Sequence, residues 1–131
     1  MTTNVSTGPT DTSGRSLRTV CGLALINLGL VALQALSAGL LMSGYRPAVR
    51  AHAVVALALQ FGALTQAVTA VVLWRRGRAP AWVVGNSVLL LVIAFLQSGF
   101  GYRRSFWLHV PIGVAIFGGL TRQVTRLVSA R

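Results

Sequence analysis

The chain has 131 residues, of which 54% are hydrophobic and only 10% are charged, whereas a soluble domain carries about 25% charged residues. Its net charge of +11 comes from twelve arginines against one acid, Asp11. Because the arginines form short clusters between long uncharged apolar runs, they indicate membrane-interface positions. The composition therefore excludes a soluble enzyme, a DNA-binding domain and a disordered basic tail. The single cysteine, Cys21, allows no internal disulfide.

Residues 1–14 are rich in Thr, Ser, Gly and Pro and are predicted to be a disordered N-terminal tail. Residues 15–131 are predicted to form one transmembrane domain. Its apolar runs are continuous rather than alternating, which excludes membrane-spanning strands. Four runs approach or exceed the length of about 20 residues that crosses a bilayer. The predicted helices cover residues 17–43, 49–74, 80–100 and 105–124.

The predicted connections are about five residues long, which leaves room only for antiparallel neighbours. The expected fold is therefore an all-α integral membrane protein, an up-down-up-down four-helix bundle. Pro111 lies inside the fourth run and predicts either a kink or a regular helix that begins further on.

The arginines are distributed unequally between the two ends of the predicted helices. Eight lie in the N-terminal flank, the second connection and the C-terminus, and four lie in the first and third connections. Because short cytoplasmic segments carry the excess of positive charge, both termini are predicted to be cytoplasmic. The expected location is a bacterial-type plasma membrane, crossed several times.

An internal repeat is visible when the chain is shifted by 57 residues. A Gly-Tyr-Arg motif with a histidine six positions after the arginine occurs at residues 44–52 and again at 101–109. These two copies contain the only two tyrosines and the only two histidines of the chain, and Gln66 falls on Gln123. Two tandem two-helix units predict a pseudo-twofold axis along the membrane normal. Helices 2 and 4 would then lie diagonally, with His52 and His109 facing each other near the outer membrane surface.

Paired histidines on facing helices are typical ligands of haem iron. We therefore expect His52 and His109 to be the axial ligands of one haem b, with Gly113 leaving room for the porphyrin. Arginines at the outer rim suit the two haem propionates, and the two tyrosines are candidate hydrogen-bond donors there. These rim residues are Arg46, Arg50, Arg103, Arg104, Tyr45 and Tyr102.

On these residues the chain resembles the transmembrane b-type cytochromes, in many of which the second and fourth helices of a four-helix bundle supply paired histidines. The segment at residues 108–114 also resembles a His-x-x-x-Gly stretch of small uncharacterised bacterial four-span proteins and, loosely, of the haem-A synthase group. The resemblance implies an electron carrier or a haem-bearing subunit. The larger families carry a second histidine pair near the opposite membrane face, and this chain has no histidine left for one.

Several alternatives remain at this point. Either histidine alone is compatible with a harmless position near interfacial water. The pair is also compatible with copper, for which Met42 lies at a suitable level. The main alternative function is a cofactor-free four-helix accessory subunit of a larger membrane complex.

No residue set for catalysis is apparent, so any chemistry would belong to the cofactor. Expected partners are the lipid bilayer and either a quinol or an extracytoplasmic redox protein, with a homo-oligomer or larger complex also compatible. A nucleic-acid partner is not expected.

Overall fold

The computed structural model describes residues 10–129, with side chains from residue 14 onward. This part of the chain contains four helices and no strand. The helices are α1 (Thr10–Met42), α2 (Ala48–Arg75), α3 (Ala81–Tyr102) and α4 (Phe106–Ser129). The all-α prediction is confirmed, and the internal helix boundaries agree with the predicted ones to within two residues.

The outer ends of α1 and α4 extend beyond the predicted limits. α1 begins at Thr10 rather than at residue 17, so it includes part of the predicted tail, while residues 1–9 of that tail lie outside the described part. α4 ends at Ser129 rather than at residue 124. Once formed, a helix extends past an apolar run at little cost. In α4, the positive charge of Arg126 in the last turn also interacts favourably with the negative end of the helix dipole. The helical assignment of α4 also runs unbroken through Pro111.

Three of the four described helices are long and apolar enough to cross a membrane, namely residues 14–42, 48–75 and 81–102. α4 has 24 residues, which is long enough for a crossing at about 1.5 Å per residue. α4 includes His109, Pro111, Gln123 and two arginines, and it is not among the three helices that are apolar enough. α1, α2 and α3 thus have the length and apolar composition that the prediction of membrane-spanning helices requires.

Each described helix packs against two others. α1 packs on α2 and α4, and α3 packs on α2 and α4, whereas the pairs α1–α3 and α2–α4 make no close backbone contact within residues 10–129. Two buried apolar clusters fill the interior, and all four helices contribute to each of them. The first comprises Ala24, Val31, Leu59, Ala63, Leu90, Ile116 and Leu120. The second comprises Val20, Cys21, Ala70, Val83 and Leu127.

Short connections join the helices and fix which ends lie together. The segments 43–47 and 103–105 lead into the helices that carry the histidines, so we call this end of the molecule the histidine end. Gly44 (φ 85°), Gly77 (φ 67°) and Arg104 (φ 56°) adopt left-handed backbone conformations, one in each connection. At the opposite end the Arg126 guanidinium lies 5.7 Å from the centre of the Trp82 ring, joining α4 to α3 by a cation–π contact.

Candidate functional site

His52 and His109 lie near the beginnings of α2 and α4, and their half-buried rings meet inside the histidine end. The ring centroids are 6.1 Å apart and the ring planes are inclined at 60°. The two rings therefore face each other, as the 57-residue shift predicts, although their helices make no close backbone contact.

The His52 ring is held from α1. Ser37 Oγ lies 3.0 Å from His52 Nδ1. The side-chain amide of Gln34, with its nitrogen turned toward α2, donates to His52 Nδ1 at 2.9 Å and to the His52 carbonyl oxygen at 3.0 Å. In the same orientation its oxygen accepts from the Ala56 N–H at 3.0 Å. Two polar side chains of one helix thus contact the ring at Nδ1 and not at Nε2. When the Gln34 nitrogen donates to Nδ1, the neutral ring carries its proton on Nε2. Binding of a metal at Nε2 requires the proton on Nδ1, where the Ser37 oxygen can accept it.

The His109 ring is held from α3. His109 Nδ1 donates a 2.8 Å hydrogen bond to the backbone carbonyl of Gln97. Because a carbonyl only accepts, this bond places the proton on Nδ1 and leaves the Nε2 lone pair available. The ring also lies directly against Gly101, where a Cβ atom would come within 3.0 Å of two ring atoms. Glycine at this position therefore permits the close approach of the ring to α3.

The two rings differ in how Nδ1 is bonded. The usual support of a metal-binding histidine is an Nδ1–H that donates to an acceptor and leaves Nε2 for the metal. His109 has this arrangement with the Gln97 carbonyl, and at His52 the Ser37 oxygen can serve as the acceptor. Two metal–nitrogen bonds of about 2 Å on opposite sides of an ion would separate the ring centroids by roughly 6 Å. The observed 6.1 Å agrees with this separation. The ring separation is therefore compatible with a metal ion between α2 and α4.

The space around the pair differs from the expectation for a glycine-lined slot. Gly113 faces the Gln97 side chain, whose Nε2 would lie 2.7 Å from a Cβ atom at residue 113. A porphyrin edge beside Gly113 would thus require the Gln97 side chain to adopt another rotamer, which a flexible side chain allows.

The predicted rim residues lie at the histidine end and are exposed. Tyr45 and Tyr102 are 56% and 87% exposed, and the rim arginines are exposed as well. Within the described part, no side-chain hydrogen bond or ion pair joins these residues to another residue. Met42, the candidate third ligand for copper, is 86% exposed. The rim residues are Arg46, Arg50, Arg103, Arg104, Tyr45 and Tyr102.

A second polar layer lies deeper in the molecule and receives one side chain from each helix. Asn27 Nδ2 donates to Gln66 Oε1 at 2.9 Å, and Gln66 Nε2 donates to Gln123 Oε1 at 3.1 Å. Ser87 Oγ accepts from both glutamines at 3.3 Å. All four side chains are almost completely buried, with at most 1% exposed. We call Asn27, Gln66, Ser87 and Gln123 the amide layer.

One atom of the amide layer lacks a hydrogen-bond partner. Asn27 Oδ1 is buried and unpaired, and it lies so close to Gly62 that a Cβ atom there would overlap it. Any side chain at residue 62 would therefore displace the Asn27 amide. Gly119, which the 57-residue shift places on Gly62, has no such neighbour within 4 Å of its Cβ position.

Sequence reasoning identified both histidines but missed Ser37 and Ser87. Ser37 follows Gln34 by one helical turn, and its hydroxyl bonds to the Gln34 carbonyl at 3.0 Å. A serine one turn from a glutamine at the level of an intramembrane histidine was the available signal for His52. No such signal existed for the Gln97 carbonyl, since every residue has one.

Among the described residues no group of three or more His, Cys, Asp or Glu side chains is arranged to hold a metal ion. Comparison of the chain with protein-family models, with curated proteins and with solved structures finds no match.

Proposed function

We propose that the protein is a membrane b-type cytochrome that binds one haem b through His52 and His109. The observation that carries this proposal is the convergence of two imidazoles from α2 and α4, 6.1 Å apart, each oriented at Nδ1 by a neighbouring helix. A side chain of this kind within an apolar helix is costly and usually functional. Here two histidines meet, and each is held at Nδ1 by a neighbouring helix. This arrangement favours a ligand between the two rings.

The proposed architecture is an up-down-up-down four-helix bundle made of two tandem two-helix units, with α4 as the fourth span. Two pairs of residues separated by 57 positions contact each other, the histidines and Gln66 with Gln123. These contacts support a pseudo-twofold axis between α2 and α4. With both termini cytoplasmic, as the arginine distribution indicates, the haem would lie near the extracytoplasmic surface.

Bound haem supplies one-electron transfer. The chain's own residues have simpler tasks. Ser37 and Gln34 orient His52, and the Gln97 carbonyl keeps the His109 proton on Nδ1, so that Nε2 is unprotonated and able to bind iron. The proposed role is therefore an electron carrier or a haem-bearing subunit rather than an enzyme.

The exposed rim supports the same proposal. Arg46, Arg50, Arg103 and Arg104 lie at the histidine end, and Tyr45 and Tyr102 lie beside them with exposed hydroxyl-bearing rings. These positions suit contacts to two propionates. The proposed redox partner is a quinol in the bilayer or an extracytoplasmic redox protein, and the subunit is compatible with a homo-oligomer or a larger complex.

The experiment is an absorption spectrum of the purified protein, oxidised and dithionite-reduced, after expression with added haem. We expect the sharp reduced bands of a six-coordinate b haem in the wild type. His52→Ala and His109→Ala should each abolish six-coordination, while Asn86→Ala, a half-buried polar residue outside the site, should keep it. Circular dichroism melting verifies that each variant is folded. A featureless wild-type spectrum would overturn the proposal.

A second candidate function is a cofactor-free accessory subunit, and one observation favours it. The Gln97 amide occupies the space beside Gly113 in which a porphyrin edge would lie. In that case the paired histidines and the amide layer would serve as interhelical contacts. The same spectrum separates the two functions, because an accessory subunit stays colourless and melts at the same temperature with and without haem.

A further inference from the structure

The surface of α3 carries an open apolar groove of about 590 Å³. Its lining runs from Leu91 through Phe95 and Gly99 to Phe100, and it ends on Arg103. Phe95 is 55% exposed, and the position of a Cβ atom on Gly99 is open space. Gly99 thus leaves a notch between large side chains that a narrow apolar chain can enter.

The length of the groove matches one leaflet of a bilayer. Residues 91 and 103 are twelve positions apart, which corresponds to about 18 Å along a helix. Half of the hydrocarbon core measures about 15 Å. With Arg103 at the interface, Leu91 therefore lies near the bilayer midplane. An acyl chain that starts at the headgroup level beside Arg103 would fill the groove to its end.

The positive charge of Arg103 at the end of the groove favours a lipid with an anionic headgroup. Arg103 is exposed and is followed by Arg104, and the described part of the chain at this end carries no acidic residue. No described side chain pairs with the Arg103 guanidinium, so it is available to a phosphate. A basic residue near the membrane surface attracts anionic lipid by about 1 kcal/mol.

We propose that this groove is a binding site for one anionic phospholipid, with its phosphate on Arg103 and one acyl chain along Leu91, Phe95 and Gly99. The site does not include the histidine pair. A phosphate on Arg103 replaces the propionate contact proposed above for that residue, and Arg46, Arg50 and Arg104 remain for the propionates. The inference stands whether or not the protein binds haem.

The test uses a phosphatidylglycerol with a diazirine in its acyl chain, added to the full-length protein in phosphatidylcholine vesicles. A phosphatidylcholine with the same diazirine chain is the matched probe. After photolysis, cleavage at arginine releases peptide 79–103, which contains all of α3 and becomes peptide 79–104 in the Arg103→Gln variant. It also releases peptide 51–75, which contains most of α2. Mass spectrometry measures the label on each peptide and locates it by residue.

We expect the label to be concentrated at residues 91–100 of α3. Phosphatidylglycerol should label this segment about five-fold more than phosphatidylcholine, which is the ratio that corresponds to about 1 kcal/mol. Arg103→Gln should remove this preference, and Gly99→Leu should remove the label on α3. Arg46→Gln, which deletes the same charge from the other connection, should keep both. Equal labelling by the two lipids, equal labelling of the two peptides, or a preference that survives Arg103→Gln would overturn the proposal. Circular dichroism melting shows that each variant compared is folded.

Discussion

Gln66 donates a 3.1 Å hydrogen bond to Gln123, the residue 57 positions further along the chain. His52 and His109 have the same separation and also meet. On each helix 14 residues separate the histidine from the glutamine, or about 21 Å. A histidine pair and a glutamine pair, each separated by 57 positions, thus connect α2 to α4 at two levels along the helices. The backbones of α2 and α4 are not in close contact.

The first prediction concerns the amide layer. Gln66→Leu leaves Asn27 Nδ2 and Gln123 Oε1 without a partner, and a buried polar atom without a partner costs about 1–3 kcal/mol. We expect Gln66→Leu to lower the free energy of unfolding by about that amount. The double variant Gln66→Leu/Gln123→Leu should cost less than the sum of its single variants, since each removes a group that the other leaves unpaired. Reversible unfolding in mixed micelles measures the three values, and simple additivity would contradict the layer.

The second prediction compares two glycines related by the 57-residue shift. A Cβ atom at Gly62 would overlap Asn27 Oδ1, whereas one at Gly119 meets nothing within 4 Å. Gly62→Ala should therefore destabilise the protein by about 1–3 kcal/mol through overpacking. Gly119→Ala should be neutral or stabilising by up to about 1 kcal/mol, because alanine is the better helix former. Thermal unfolding of the two variants side by side measures the difference, and equal melting temperatures would be inconsistent with the Asn27–Gly62 contact.

The third prediction tests the support of His52. Ser37→Ala combined with Gln34→Leu removes both side chains that hold His52 Nδ1. In an iron-bound His52 the proton is on Nδ1, and the Ser37 oxygen can accept it. Loss of the group that accepts this proton typically weakens metal binding by about 10–100-fold. Haem titration, followed by the difference spectrum, measures the affinity. Ser43→Ala is the matched control, because the Ser43 hydroxyl bonds only to the Gly39 carbonyl of its own helix. An unchanged affinity in the double variant would show that Nδ1 support is dispensable.

The fourth prediction concerns the close approach of the His109 ring to α3. An added methyl group in Gly101→Ala would lie 3.0 Å from ring atoms Cε1 and Nδ1, closer than ordinary carbon contacts of about 3.5–4.0 Å. The ring must move away, which lengthens its 2.8 Å bond to the Gln97 carbonyl. We expect weaker haem binding and an altered reduced spectrum. Gly118→Ala, on the same helix as His109 with nothing within 4 Å, should bind haem like the wild type.

Sequence periodicity and composition predicted the four helices because apolar runs bounded by arginine leave few alternatives in a membrane. They also predicted that His52 and His109 meet. The start of α1 at Thr10 was not predicted, because a helix beyond the apolar run depends on propagation rather than on hydropathy.

The contacts around the histidines depended on details that composition does not carry. Gly113 was expected to make room for a ligand, but in the structure the Gln97 amide lies against it. The rotamer of one long side chain decides between these outcomes, and its sequence position alone does not fix that rotamer. The hydrogen bonds of Ser87 to two glutamines were likewise not predicted. They depend on the rotation of α3 about its own axis, which decides which of its residues point into the bundle.

The contacts of like with like between α2 and α4 restrict which side chains can occupy the centre of this molecule. A residue that meets its own kind must be self-complementary. Two carboxylates or two ammonium groups would repel each other. An amide carries both donors and an acceptor, so one glutamine can donate directly to another, as Gln66 does to Gln123. The Nδ1 atoms of His52 and His109 bond to α1 and α3 instead, and their rings meet as neutral, uncharged groups. A pairing of like with like therefore excludes side chains of fixed charge from the centre of this molecule.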